Sequence, residues 1–403
     1  MRLRIAARLA LPAALAACTG AQSAPLAHEG ALPLKLAPRP TEGAITPRDL
    51  MTRLYIFADD SMQGRGMGTP GYRRATDYIA GELARLGVRP AGEGGTYFQE
   101  LPTGAADPAS ARNVVAVIPG TDPALAGQYV AIGAHADHVG YNRRPVDHDS
   151  LHAYNAQAWR AGGATNDPRP LAAEARARLH VNVDSLRALR PPRPDSIANG
   201  ADDDGSGSMA LLEIAEAFAR GTVKPKRSIL LVWHTGEELG MLGSAYFTSH
   251  PTVPLDSIVA QVNVDMIGRG TAADLVNGGP GYVSVVGARR LSTQLGDLVE
   301  RVSRDGGYDL TFDYALDANG HPQSIYCRSD HYSYARHGIP VVFFFTGLHG
   351  DYHEVTDEPQ YIAYDNYARL TRYLHDLVLA IADRPERLVV DGPRPDPEGR
   401  CRQ

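Results

Sequence analysis

Five places in the chain set histidine or acidic side chains at the ends of apolar or helical runs. Ala134-His135-Ala136-Asp137 closes one such run. His234-Thr235-Gly236-Glu237-Glu238 follows Ser228–Trp233, and Asp265 follows Val262-Asn263-Val264. Tyr352-His353 comes a short loop after Val341–Phe345. The fifth, Gly200-Ala201-Asp202-Asp203-Asp204, opens a helical stretch at Ser208. Imidazole and carboxylate without thiolate suit hard or borderline divalent cations, and zinc accepts both. Two neighbouring ions need a shared carboxylate, which the triple-Asp run can supply. Such a pair activates a water and clamps a reacting carbonyl oxygen. Each motif alone is weak. A Glu-Glu pair is usually a solvated turn, and a triple Asp is usually a helix cap. The five together, each at the end of an element, make a joint signal.

For these residues to meet, the runs before them must be neighbouring strands. Asn113–Ile118, Gln128–Ala134, Ser228–Trp233, Ile258–Val264 and Val341–Phe345 are rich in Val, Ile and Phe and read as buried strands. Ala75–Leu86 reads as an amphipathic helix stopped by Gly87; Ser208–Arg220 and Tyr367–Ala382 read as helices. Strands alternating with helices predict an α/β fold, a three-layer α/β/α sandwich around a mixed, largely parallel sheet. Ligands of open α/β sheets bind beyond the carboxyl ends of the strands. The glycine-rich run Gly64–Gly71 lacks the Lys-Ser/Thr of a phosphate loop and reads as a turn. Residues 141–198 break the rhythm. They are rich in Arg and Pro, show no clean strand, and have room for short helices within Leu171–Leu189. They read as an insertion, a lid or a solvated appendage. Nine Arg against six Asp or Glu there favour acidic or carboxylate-bearing substrates.

The composition is that of an ordinary globular chain. Of 403 residues, 43% are hydrophobic and 21% charged, which excludes a disordered chain, a collagen-like rod and a polytopic membrane protein. A net charge of −6 without a basic stripe gives no sign of a nucleic-acid partner. Three cysteines are too few for a disulfide scaffold or a thiolate zinc site. Arg2, Arg4 and Arg8 precede the apolar stretch Leu9–Ala17, the pattern of an export signal. Leu15-Ala16-Ala17-Cys18 resembles a bacterial lipobox. It implies acylation of Cys18 and a lipoprotein on the periplasmic side of the outer membrane; a plain cleaved signal would leave the protein periplasmic or secreted. The chain thus divides into a signal (1–18), a tether (19–47), a catalytic domain (48–385) and a polar, Pro-rich tail (386–403) read as disordered. Cys401 in that tail favours free thiols at Cys327 and Cys401.

The constellation resembles the co-catalytic di-zinc exopeptidases, metallopeptidase family twenty-eight. These include secreted bacterial leucine aminopeptidases, glutamate carboxypeptidase and glutaminyl cyclase. The likeness rests on the motifs above with Ser329-Asp330-His331, Gly338-Ile339-Pro340 and Asp357. It implies a zinc-peptidase fold in one catalytic domain, two Zn2+ ions and peptide substrates. By motif position it implies His135, Asp203, Glu238, Asp265 and His353 as ligands, with Asp203 bridging. One ion would take His135 and Asp265, the other Glu238 and His353. Glu237 matches the general base, Asp137 the carboxylate that orients His135, and Tyr326 a tyrosine that hydrogen-bonds the oxyanion. His349 competes with His353, and Asp202 and Asp204 with Asp203. His331 and Asp330 match supporting or structural positions, and His234, which no motif requires, reads as packing beside the sheet. An aminopeptidase is the expected activity. The rivals are a glutaminyl cyclase-like transferase, a carboxypeptidase, and a receptor or scaffold domain without catalysis.

Overall fold

The structure, a computed structural model, describes residues 32–104, 107–166 and 171–403. The export signal, Cys18 and residues 19–31 of the expected tether lie outside the described residues. In chain order the strands are β1 (Arg89–Pro90), β2 (Phe98–Glu100), β3 (Arg112–Ile118), β4 (Tyr129–His135), β5 (Gly140–Asp147), β6 (Pro194–Ala198), β7 (Ser228–His234), β8 (Ile258–Val264), β9 (Tyr282–Val286), β10 (Thr311–Asp313) and β11 (Val341–Phe345). Nine form one sheet in the order β1-β3-β7-β4-β8-β11-β9-β10, with β2 also on β3. Its centre, β7-β4-β8-β11, is parallel throughout. β3 joins antiparallel on one side and β9 on the other.

Every residue of β3, β7, β8 and β11 is buried, so these strands are apolar on both faces. Alternate residues feed two cores. Val114, Ile132, Leu231 and Trp233 face the helices Pro47–Phe57, Pro70–Arg85, Gly207–Arg220, Thr293–Asp305 and Tyr364–Ala382. Val115, Ala131, Leu230 and Val232 face Phe247 and Tyr334, on the short helices Leu242–Ser249 and His331–Ala335. This is a three-layer sandwich around a mixed, largely parallel sheet. The first two helices begin on Thr-Pro: the hydroxyls of Thr46 and Thr69 accept from Asp49 N and Tyr72 N, and proline fills the first turn.

Two expectations fail. The insertion does contain strands, because β5 pairs antiparallel with β6. The two pair only with each other, off the main sheet, and their Arg, Asn, Asp and Pro residues hide the pairing from apolar patterning. The tail is not loose and the thiols are not free. Cys401 is disulfide-bonded to Cys327, with Cα atoms 5.7 Å apart. Gln403 then donates to the Leu316 carbonyl at 2.9 Å and accepts from Tyr326 N at 2.9 Å.

Candidate metal centre

The carboxyl ends of β4, β7, β8 and β11 lie side by side. His135 ends β4, Glu237 and Glu238 sit in the turn after β7, Asp265 follows β8, and His353 lies in the loop after β11. The Asp202–Asp204 turn enters the helix Gly207–Arg220 just beneath them. Gly236 makes the β7 turn possible: its φ is +64°, and a Cβ there would meet Met67 Sδ at 2.6 Å.

Asp203 is the hinge of the cluster. Its Oδ1 lies 3.2 Å from His135 Nε2, and its Oδ2 lies 3.0 Å from His353 Nε2. His135 Nε2 is also 3.6 Å from Asp265 Oδ1, and His353 Nε2 is 2.9 Å from Glu238 Oε2. One carboxylate thus faces two imidazoles with different oxygens, each imidazole backed by a second acid. Bonds of 2.0–2.2 Å in a tetrahedron put donor atoms about 3.4 Å apart, and these spacings lie around that value. The donor set, imidazole and carboxylate only, suits zinc. All five expected ligand positions therefore converge.

The competing aspartates have other work. Asp204 can be grouped with His135 and Asp265 as a donor. However, its oxygens already accept from the backbone N–H of His135, Gly207 and Met266, tying the ends of β4 and β8 to the helix start. Asp202 accepts from Gly268 N at 2.6 Å and meets His349 Nε2 at 3.3 Å, so His349 faces Asp202 rather than the Asp203 cluster. Asp357 accepts from the backbone N–H of Asp202 and Asp203, each at 3.0 Å, and fixes the turn. His234 lies between Asp330 and the Tyr334 hydroxyl, and His331 stacks on Phe343.

Glu237 lines the cleft together with His135, Asp203 and Asp265. Its backbone N–H donates to Asp137 Oδ1 at 3.2 Å. Asp137 reaches His135 mainly through its own carbonyl, 3.1 Å from Nδ1; its carboxylate is 3.8 Å away. The Asp137 side chain therefore holds the base's backbone, and its main chain orients the imidazole. Tyr326 does not line the cleft. It is buried in the second core, under the Arg290 guanidinium at 4.2 Å and beside Tyr332. The expected oxyanion role is corrected accordingly: the tyrosine lining the cleft is Tyr352, stacked on His353 with ring centroids 3.9 Å apart.

Two participants escaped the sequence reading. His138, three residues past His135, puts Nδ1 2.8 Å from Glu238 Oε1 and 3.8 Å from Asp203 Oδ2. Its signal was present, a second histidine in Ala134-His135-Ala136-Asp137-His138. Arg65, from the glycine-rich run, is fully buried and donates to the carbonyls of Ala136 (3.1 Å), Phe57 (3.2 Å) and Gly200 (2.7 Å). It ties the end of β4 to the Asp203 turn.

The electrostatics are those of crowded anions. Burial pushes Asp137 up to about 6. Burial, helped by Asp265, Asp330 and Glu238, pushes Glu237 well above the usual range. Burial alone would lower His353, but Asp203 and Glu238 hold it up to about 10. In the same way His135 and His353 overcome burial at Asp203 and hold it well below the carboxylate range. Imidazoles so strongly drawn to carboxylates mark a place where positive charge is wanted. Around it opens a cleft with Met266, Ile325, Phe343, Phe345 and Leu348 on its walls and exposed Arg328 at its edge.

Comparison with known proteins agrees with this geometry. Over 344 residues the chain is 25% identical to leupeptin-inactivating enzyme 1 of Streptomyces exfoliatus, covering 82% of this chain and 57% of that protein. Over 198 residues it is 31% identical to the probable leucine aminopeptidase 2 of Aspergillus oryzae, covering 49% of this chain and 34% of that protein. The chain thus spans little more than half, or less, of these relatives' length. The crystal structure of the Legionella pneumophila LapA aminopeptidase shares the fold, with a TM-score of 0.57 at 18% identity over 85% of this chain and 73% of that one. The family model described as peptidase family M28 matches residues 113–378. From β3 through most of the last helix, with every side chain of the cluster inside the match, the chain belongs to peptidase family M28.

Proposed function

We propose that the protein is a zinc-dependent exopeptidase that removes residues from the free amino end of peptides, using two Zn2+ ions. The observation that carries this reading is the division of Asp203 between His135 and His353. His135, Asp203 and Asp265 would hold one ion; His353, Asp203 and Glu238 would hold the other, with His138 braced against Glu238. When bound, the ions supply Lewis acidity toward a water and the scissile carbonyl. Glu237 takes the proton from the attacking water and returns it to the leaving amine. Asp137 fixes the backbone of that base, and Asp204, Asp357 and Arg65 hold the turns on which the donors sit. The carboxylates that line the cleft, Asp203, Glu237 and Asp265, favour an ammonium group over a carboxylate, and the apolar wall accepts an aliphatic or aromatic side chain.

The test is a panel of leucyl peptides with free and N-acetylated amines, assayed with zinc present and after chelation. Cleavage restricted to free amines and abolished by chelation is expected. Cleavage restricted to the acetylated peptides would overturn the aminopeptidase reading in favour of carboxypeptidase or endopeptidase action.

A further inference from the structure

Among the described residues, three groups of histidine and acidic side chains are close enough to hold a metal ion, and two belong to the Asp203 cluster. The third is elsewhere. A ring nitrogen of His148 and one carboxylate oxygen each from Asp195 and Glu358 lie within 4.8 Å of one another. The three come from different parts of the chain. His148 opens the helix His148–Ala161 that follows β5, Asp195 lies on β6, and Glu358 lies in the loop that carries His353.

The imidazole is the informative member. His148 is only 1% exposed. Its Nδ1 is taken, since Arg193 donates to it and Asp149 Oδ1 lies 3.3 Å away. Its Nε2 is buried with no hydrogen-bond partner among the described residues. A buried ring nitrogen left unbonded is costly, and native proteins rarely tolerate one. Asn199 repeats the pattern beside it. Its amide donates to Asp60 Oδ1 at 2.8 Å and Glu358 Oε1 at 3.0 Å, while its Oδ1 has no partner. Of the nearby permanent cations, Arg190 and Arg193 pair with Asp149, Arg193 also reaching His148 Nδ1, and Lys35 pairs with Asp59 and Asp60. Burial, with Asp195, Asp60 and Asp357 nearby, pushes Glu358 up to about 8 against the hydrogen bond from Asn199.

We propose that His148, Asp195 and Glu358 form a structural site for a divalent cation, with one imidazole and two carboxylates suited to zinc, that clips both ends of the insertion to the loop carrying His353. One nitrogen and two oxygens from three separate segments match the ligand chemistry of zinc, and such an ion ties together what it binds. The site is separate from the Asp203 cluster and does not depend on how that cluster is read.

The experiment is zinc stoichiometry on the full chain, dialysed against buffered Zn2+, for the wild type, His148→Ala and Glu358→Gln. Each variant is expected to hold one zinc fewer than the wild type. Each should also lose the protection that zinc gives the Arg-rich insertion against trypsin. The drop of one, not the total, carries the test, so an error about the Asp203 cluster would not disguise the result. Glu358→Gln preserves shape at a position where burial already favours the neutral form, so it guards against misfolding of His148→Ala. Equal zinc content in the wild type and Glu358→Gln, with unchanged tryptic cleavage, overturns the proposal.

Discussion

Two buried acidic clusters in this molecule solve the same problem differently. Near the chain start, Glu82, Glu213 and Glu216 converge on Arg53, whose side chain is 1% exposed. Arg53 Nε meets Glu213 at 2.8 Å, Nη1 meets Glu82 at 2.9 Å, and Nη2 meets Glu216; Arg85 and Arg220 add contacts to the same acids. Three glutamates thus meet three arginines, and the charge closes within the protein. At the strand ends, Asp137, Asp203, Asp204, Glu237, Glu238 and Asp265 have Arg65 as a buried permanent cation, its guanidinium spent on backbone carbonyls, while Arg328 stays exposed at the cleft edge. Burying unpaired charge is expensive. A cluster left short of cations by its own side chains is built to receive them from outside, whereas the Arg53 cluster is built to be left alone.

The sharpest way to break this contrast is Asp203→Ala. It removes the one group common to both halves of the strand-end cluster. The zinc at the strand ends should be lost and hydrolysis should fall to background, as read by metal analysis and leucyl p-nitroanilide turnover. A variant that kept its full zinc content would separate Asp203 from the metals. Glu237→Gln should leave zinc in place while turnover drops by roughly 10²–10⁴-fold, the scale of a lost general base. Near-normal turnover there would remove Glu237 from its role.

These residues were legible because their signal is local. His135, Glu237, Glu238 and Asp265 stand at or just past the end of a strongly apolar strand, and Asp203 just before a helix; the parallel core β7-β4-β8-β11 brings such strand ends together whatever the loops do. What was missed lacks that signal. Arg65 acts from a glycine-rich turn whose partners, Gly200 and Ala136, are distant in sequence. The Cys327–Cys401 pairing spans 74 residues and leaves no periodic trace. β5 and β6 are polar and pair off the main sheet, so their register depends on each other alone. Tyr326 shows the converse failure. A motif position predicted its role, but the local turn aims the ring under Arg290 instead of into the cleft.

At the Arg53 cluster the expected losses are in stability. Arg53→Met leaves Glu213 buried without its cation and Glu216 with only Arg85 and Arg220. It should destabilise the fold by about 3–5 kcal/mol in denaturant titrations, the usual cost of breaking a buried pair from one side. Zinc content at the strand ends should not change. A loss below 1 kcal/mol would mean that water or a neighbouring arginine takes over, and the claim of internal closure would fail.

The subtlest test is the pH dependence of this same cluster. Burial pushes Glu213 up to about 7 against the pull of Arg53, and its Oε1 has no hydrogen-bond partner. An unfolded glutamate titrates near 4.5. Between these values the folded state binds a proton that the unfolded state has released, so this group's contribution to stability falls as pH rises. That contribution is complete below about 4.5 and lost through about 7. Glu213→Gln removes this dependence and leaves the other titrating groups in place. Measured at pH 5 and pH 7, the wild type should therefore lose stability relative to the variant on going to the higher pH. Parallel behaviour of the two proteins would mean that Arg53 already holds Glu213 ionised, making the internal pairing tighter than the burial of that carboxylate implies.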